Sequence, residues 1–281
     1  MPFELDAGGA QLSGEEIGAG PAIALLHGIT ATRRYVVHDS KALPRRGYRL
    51  LSYDARAHGE SGAAPPGEGY SYAELAADLG QVLDARAAES PLLCGHSMGC
   101  HTVAAYALEH ASELAGVVLL GPATLGLPSE DESIARWDRL ADGLEQGGAE
   151  GFMRAYEQVL EVEPDWRETV LRITRERMLR HRHPEALAEA IRQVPRSAPF
   201  DGLAELESLD LPALVVASRD EADPGHRRAV AEAWAAALPK ARLIAEQSGE
   251  APLAWRGGQL SRAIAEFAGE PEVSARLGRP G

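Results

Sequence analysis

The chain has 281 residues, 45% hydrophobic and 25% charged, which fits one globular domain or one domain with a large insertion. Its formal net charge of −14 argues against nucleic acid and anionic membrane as partners, since both select a basic face. Residues 1–6 have neither a basic start nor an apolar core, and no apolar run approaches the ~18 residues of a membrane helix, so a cytoplasmic protein is expected.

Residues 3–20 read as a β-hairpin, with glycines at the turns. The unbroken apolar run Ala22 to Leu26 suits a strand buried on both faces of a parallel sheet, and it ends at His27-Gly28-Ile29. A helix is expected over 33–43, a strand over 48–53, and a polar loop over 54–62. Ser71 and Glu74 then have the spacing of a capping box, opening a helix that runs to about residue 88. Strand, turn and helix follow over 91–110, and a further strand over 114–120. From 125 to 209 only helical patterns recur, over 129–145, 149–160, 165–180 and 184–194, with breaks at Gly147-Gly148, Pro164 and His183-Pro184. The sheet pattern resumes at 213–217, with a helix over 227–238, a strand over 241–245 and a helix over 259–268. The remainder, 270–281, is rich in Gly and Pro and is expected to be disordered.

Strands alternating with helices predict an α/β protein with a mostly parallel, doubly wound sheet. The expected division is a core of 1–124 and 210–269 with a helical cap inserted at 125–209. Leu125, Trp137, Phe152, Tyr156 and Met178 are candidate lining for a pocket beneath the cap. The only cysteines, Cys94 and Cys100, read as small buried hydrophobes without a disulfide, and no metal-ligand spacing is present.

The chemistry concentrates at Gly95-His96-Ser97-Met98-Gly99, between the apolar run 91–94 and a helix. Strand, sharp turn and helix make G-x-S-x-G a nucleophile elbow, in which glycines let the backbone hold one serine at strained dihedrals. With these residues the chain resembles the α/β-hydrolase superfamily over all but its tail. The resemblance implies Ser97 as nucleophile. It implies the amides of Ile29, after the His27-Gly28 turn, and of Met98 as oxyanion donors. The loop 54–62 resembles the family's D-x-R-G-x-G-x-S loop, with Ala57 where glycine is usual, and Arg56 and Ser61 in structural roles. The stretch Ala217-Ser-Arg-Asp220 with Pro224 resembles the family's acid loop. It implies Asp220 as the triad acid, with Asp223 as the fallback.

The family's histidine belongs in the loop after the last strand. Here Gly249 is followed by Glu250, and no histidine occurs after His226. A free glutamate, near pKa 4.3, is a poorer base than imidazole, near 6.5. Glu250 beside Asp220 would share a proton with it, as carboxylate pairs do. His226, just past the acid loop, and His38 are the other candidate bases. His96 is expected to point away from substrate, His101 to pack beneath the elbow, and His27 and His58 to brace backbone. The expected function is hydrolysis of small esters or related acyl compounds by Ser97, with Asp220 and Glu250 as its companions. The alternative is a ligand-binding relative with little turnover. The expected partner is a small molecule. No cofactor is implied, because neither a dinucleotide fingerprint nor a phosphate loop is present. The pattern specifies no oligomeric state.

Overall fold

The computed structural model describes residues 1–65, 69–246 and 251–278. Eight strands form one sheet in the order 1-2-4-3-5-6-7-8. β1 (Pro2–Ala7) and β2 (Ala10–Ile17) form the expected hairpin, and β2 runs antiparallel to β4 (Arg49–Tyr53). The other strands are parallel: β3 (Ala22–Leu26), β5 (Leu92–His96), β6 (Gly116–Leu120), β7 (Ala213–Val216) and β8 (Ala241–Ile244). In register, Leu26 at the end of β3 faces Gly95 at the end of β5. That pairing sets the His27-Gly28 turn beside the Ser97 turn.

Alternate residues of the central strands supply two cores. Ala24, Leu26 and Leu93 face α1 (Tyr72–Ala85), α2 (Met98–His110) and α6 (Arg228–Ala237). Ile23, Leu25, Leu92 and Cys94 face α7 (Gly257–Ala268). Strands sandwiched between helical layers lose both faces to the core, which explains their unbroken apolar runs. The capping box forms as expected, with Ser71 N–H donating to Glu74 Oε2 at 2.7 Å. Cys94 and Cys100 are buried free thiols.

Two expectations are corrected. The helix anticipated over 33–43 is a single turn, Arg33–Tyr35, followed by His38 and Asp39 at positive φ. Tertiary bonds outweigh its helical pattern, because Arg33 is drawn to Asp54 and His38 Nε2 hydrogen-bonds the Ala254 carbonyl. Within the stretch expected to be disordered, Pro271–Arg276 forms α8. Val273 and Leu277, four residues apart, bury against the α7 side of the sheet.

Between β6 and β7 lie α3 (Asp131–Val159), α4 (Pro164–Met178) and α5 (Pro184–Gln193). α3 kinks at Gly147 and at Gly148, whose φ is 57°. The kink doubles it back so closely that a methyl on Gly151 would lie 1.9 Å from the Gly143 carbonyl oxygen. Leu144, Phe152, Leu187 and Ile191 join Ile29, Tyr72 and Met98 in a third core. Each large side chain removed from water there contributes about 1.5–3 kcal/mol. This third core fastens the inserted helices over the carboxyl ends of β3 and β5.

Candidate functional site

The site begins with backbone. Ser97 sits between β5 and α2 at φ 54° and ψ −116°, a conformation a non-glycine residue adopts only under constraint. The flanking glycines are required by contact. A methyl on Gly95 would lie 2.2 Å from the Gly99 carbonyl oxygen, and one on Gly99 2.3 Å from that of Leu26. Gly28 is also close, its missing methyl 3.1 Å from Ser97 Cβ. The turn after β3 and the Ser97 turn therefore touch. The amides of Ile29 and Met98 flank this contact, and neither donates to a backbone carbonyl among the described residues. Met98 opens α2, where amides have no intrahelical acceptor and the dipole favours negative charge.

The loop 54–62 holds this turn from behind. Arg56 grips the buried Asp78 with Nε and Nη2, at 2.8 and 2.7 Å. Ser61 Oγ donates to the Asp54 carbonyl and accepts from Ser13 N–H. Ala57 takes the positive φ, 67°, that explains the usual glycine there. His27 Nδ1 donates to the Gly28 carbonyl while Nε2 accepts the Ala55 amide. His58 bonds the Ile29 carbonyl, and His101 Nδ1 bonds the Ser97 carbonyl from beneath the elbow. His181, on the inserted segment, accepts from Gly59 N–H and reaches the Thr30 carbonyl, tying that segment to the same turn. Nothing in the local sequence signals this partner, 122 residues away in the chain.

A cavity of about 260 Å³ opens above Ser97. Its floor is Gly28 to Ala31 with His96 to Met98, and the inserted helices supply the roof, including Trp137, Phe152 and Tyr156. Trp255 closes one side. Of the other candidate lining residues, Leu125 is exposed and Met178 is buried in the third core.

Two corrections concern the acid and the histidines. Asp220 is exposed and accepts the Arg228 amide at the start of α6, away from the cavity. Asp223 lines the cavity instead. The tight turn that follows β7, with Asp223 N–H on the Arg219 carbonyl and His226 N–H on that of Asp223, brings both side chains together. His226 Nδ1 lies 2.8 and 2.9 Å from the two Asp223 oxygens, and Ser218 Oγ donates to Oδ2 at 2.8 Å. Burial alone would raise the Asp223 pKa, but His226 and Ser218 outweigh it and hold the carboxyl down at about 2. An imidazole that spends Nδ1 on a carboxylate keeps Nε2 as its free acceptor, and His226 Nε2 has no hydrogen bond among the described residues. His96 also lines the cavity, contrary to its expected direction, with its ring 5.0 Å from that of His226. Burial, helped by His226, lowers its pKa to about 3 and keeps it neutral. His38 bonds Ala254 and does not line the cavity. Glu250 lies outside the described residues.

Chemically, one cavity thus gathers a hydroxyl on a strained turn, two open amides and an imidazole oriented by a carboxylate. Sequence reading weighed Asp223 and His226 separately. Their spacing of three, D-x-x-H, is the signal that could have joined them. It missed Arg136 and Arg177, which also line this cavity.

The family model described as the alpha/beta hydrolase fold matches residues 21–256. Epoxide hydrolase B of Mycobacterium tuberculosis is 33% identical over 114 residues, 39% of this chain and 32% of the relative. A non-heme haloperoxidase of Rhodococcus erythropolis is 32% identical over 122 residues, 43% of this chain and 44% of the relative. The chain therefore spans less than half the length of these two curated relatives. An esterase from Exiguobacterium antarcticum has the same fold, with a TM-score of 0.77, 20% identity and coverage of 95% of this chain and 99% of that one.

Proposed function

The chain belongs to the alpha/beta hydrolase family, and on that premise we propose that it hydrolyses small esters or related acyl compounds through Ser97. One observation carries the reading: the Asp223–His226 pair borders the same cavity as the strained serine. Ser97 Oγ attacks the acyl carbon and passes its proton to His226 Nε2. Asp223 holds Nδ1–H and offsets the imidazolium charge. The amides of Ile29 and Met98 receive the tetrahedral oxygen. The imidazolium protonates the leaving alkoxide, and a water deprotonated by the same ring opens the acyl-enzyme, returning acid and free serine. Chain order stays serine, acid, histidine, with the last two drawn into one turn after β7. The inserted helices act as a cap that keeps bulk water from the acyl-enzyme. His226 takes the part first expected of Glu250, and Asp223 that of Asp220. The esterase and epoxide hydrolase among the similar proteins support hydrolysis as the reaction class.

Turnover of p-nitrophenyl acetate and butyrate tests this. Ser97→Ala is expected to lower kcat by roughly 10³-fold or more. If wild type and Ser97→Ala match on every ester and thioester, the fold serves as a binding pocket and the hydrolase reading falls.

A further inference from the structure

Arg136 on α3 and Arg177 on α4 both line the cavity roof. Each is partly buried, and neither has a carboxylate or a backbone carbonyl as side-chain partner among the described residues. Arg177 gives one hydrogen bond, from Nη2 to Thr174 Oγ1 at 3.3 Å, and its Nε is buried without a partner. Other shielded arginines have carboxylate or carbonyl partners. Arg56 grips Asp78, Arg192 reaches Asp142 and Glu145, and Arg167 caps the carbonyls of Leu160 and Glu157. The contrast is sharp in a chain with 42 acidic residues against 28 Lys and Arg. Acidic partners abound, yet none is supplied to these two.

A guanidinium stays charged at any working pH and presents five N–H donors in a planar fork. Shielding it from water without an anion is unfavourable. A pair left so at one cavity wall is therefore suited to a ligand that brings the missing charge. Asp223 is the single carboxylate in the described wall, and Ser218 and His226 already engage it. Tyr156, in the same wall, lies within electrostatic reach of both guanidiniums.

Building on the serine-hydrolase reading, we propose that the substrate carries a carboxylate, held by Arg177 and Arg136 under the roof while its acyl carbon lies over Ser97. The planar fork of arginine matches a carboxylate through paired charge-assisted bonds. Thr174 and Ser133, in the same wall, add hydroxyl donors.

The test compares mono-p-nitrophenyl glutarate with methyl p-nitrophenyl glutarate, which share chain length and leaving group and differ in charge. Wild type is expected to favour the anionic ester by about 100-fold in kcat/KM, the scale of hydrogen bonds to charged groups. Arg177→Gln should cut that ratio about 100-fold, mainly through KM, Arg136→Gln about tenfold, and Arg177→Lys should restore part of it. Equal wild-type rates on the two esters, or a preference that survives both glutamine variants, overturns the proposal. Titration of glutarate into Ser97→Ala reads the site without turnover, and binding should vanish in Ser97→Ala/Arg177→Gln. Glutarate binding that needs Arg177, with neither ester hydrolysed, would keep the anion site and sink the hydrolase reading. Turnover without discrimination would do the reverse.

Discussion

At the scale of single residues, contact dictates the neighbours of Ser97. Glycine at 95 and 99 leaves no room for another residue, and glycine at 28 leaves little, so the motif records the geometry directly. The acid was not legible in the same way. Asp220 and Asp223 lie in one polar loop, and a pattern cannot say which carboxylate turns inward. Backbone decides it: the turn closed by Asp223 N–H on the Arg219 carbonyl aims Asp223 at His226, while Asp220 serves the start of α6. The two therefore predict opposite outcomes. Asp223→Asn should lower kcat on p-nitrophenyl acetate by about 10⁴-fold, because an amide no longer selects the useful tautomer of His226. Asp220→Asn should change kcat by less than about threefold, since it removes a helix-terminal contact worth about 1 kcal/mol of stability. Equal effects in steady-state kinetics would contradict the assignment.

At the scale of elements, burial made the strands readable. A parallel strand covered on both faces must be apolar throughout, and 22–26, 92–95, 116–120 and 213–216 carry that mark. Helices were readable where capping or prolines punctuated them, as at Ser71, Pro164 and Pro184. The failures share a cause. Segment 33–43 has helical spacing, but its side chains bond partners far along the chain, Asp54 and Ala254, and those bonds bend it into turns. The C-terminal segment is Gly/Pro-rich on average, yet two apolar residues one turn apart suffice to seat α8. The kink in α3 was legible as Gly147-Gly148. Its consequence, Gly143 and Gly151 in backbone contact, depends on the direction of the turn and was not. Nor could helical periodicity show that Arg136 and Arg177 face one cavity, because they lie on different helices.

For the molecule as a whole, the histidines that brace the site make stability depend on pH. His27, His101 and His181 each use one ring nitrogen as acceptor and the other as donor, so each is held neutral. Burial lowers all three, His101 to about 4 and His181 to about 3. A histidine kept neutral in the fold takes up its proton on unfolding. Its stabilisation is therefore complete above the unfolded pKa of about 6.5 and declines as pH falls below it. Between pH 6.5 and 5 the loss is about 1.5–2 kcal/mol for His101 and for His181, and His27 acts in the same direction. Asp223 adds a second, lower window, since its depressed carboxyl stabilises the fold above its unfolded value and loses that as pH falls toward 2. Relief of the −14 net charge acts in the opposite sense on acidification. Exposed charges are screened to a fraction of a kcal/mol each, so the buried rings prevail. The melting temperature should drop by on the order of 5–10 °C from pH 7 to pH 5. Calorimetry showing a flat or rising melting temperature would contradict this account of the bracing histidines.

The central claim is that His226, oriented by Asp223, activates Ser97. Its most direct measure is the rate at which a fluorophosphonate labels the protein, with the modified peptide identified by mass spectrometry. Stoichiometric labelling of Ser97 is expected in the wild type. Labelling at least about 10³-fold slower is expected in His226→Gln, with Glu250→Gln close to wild type. Labelling that ignores His226 and depends on Glu250 would contradict it.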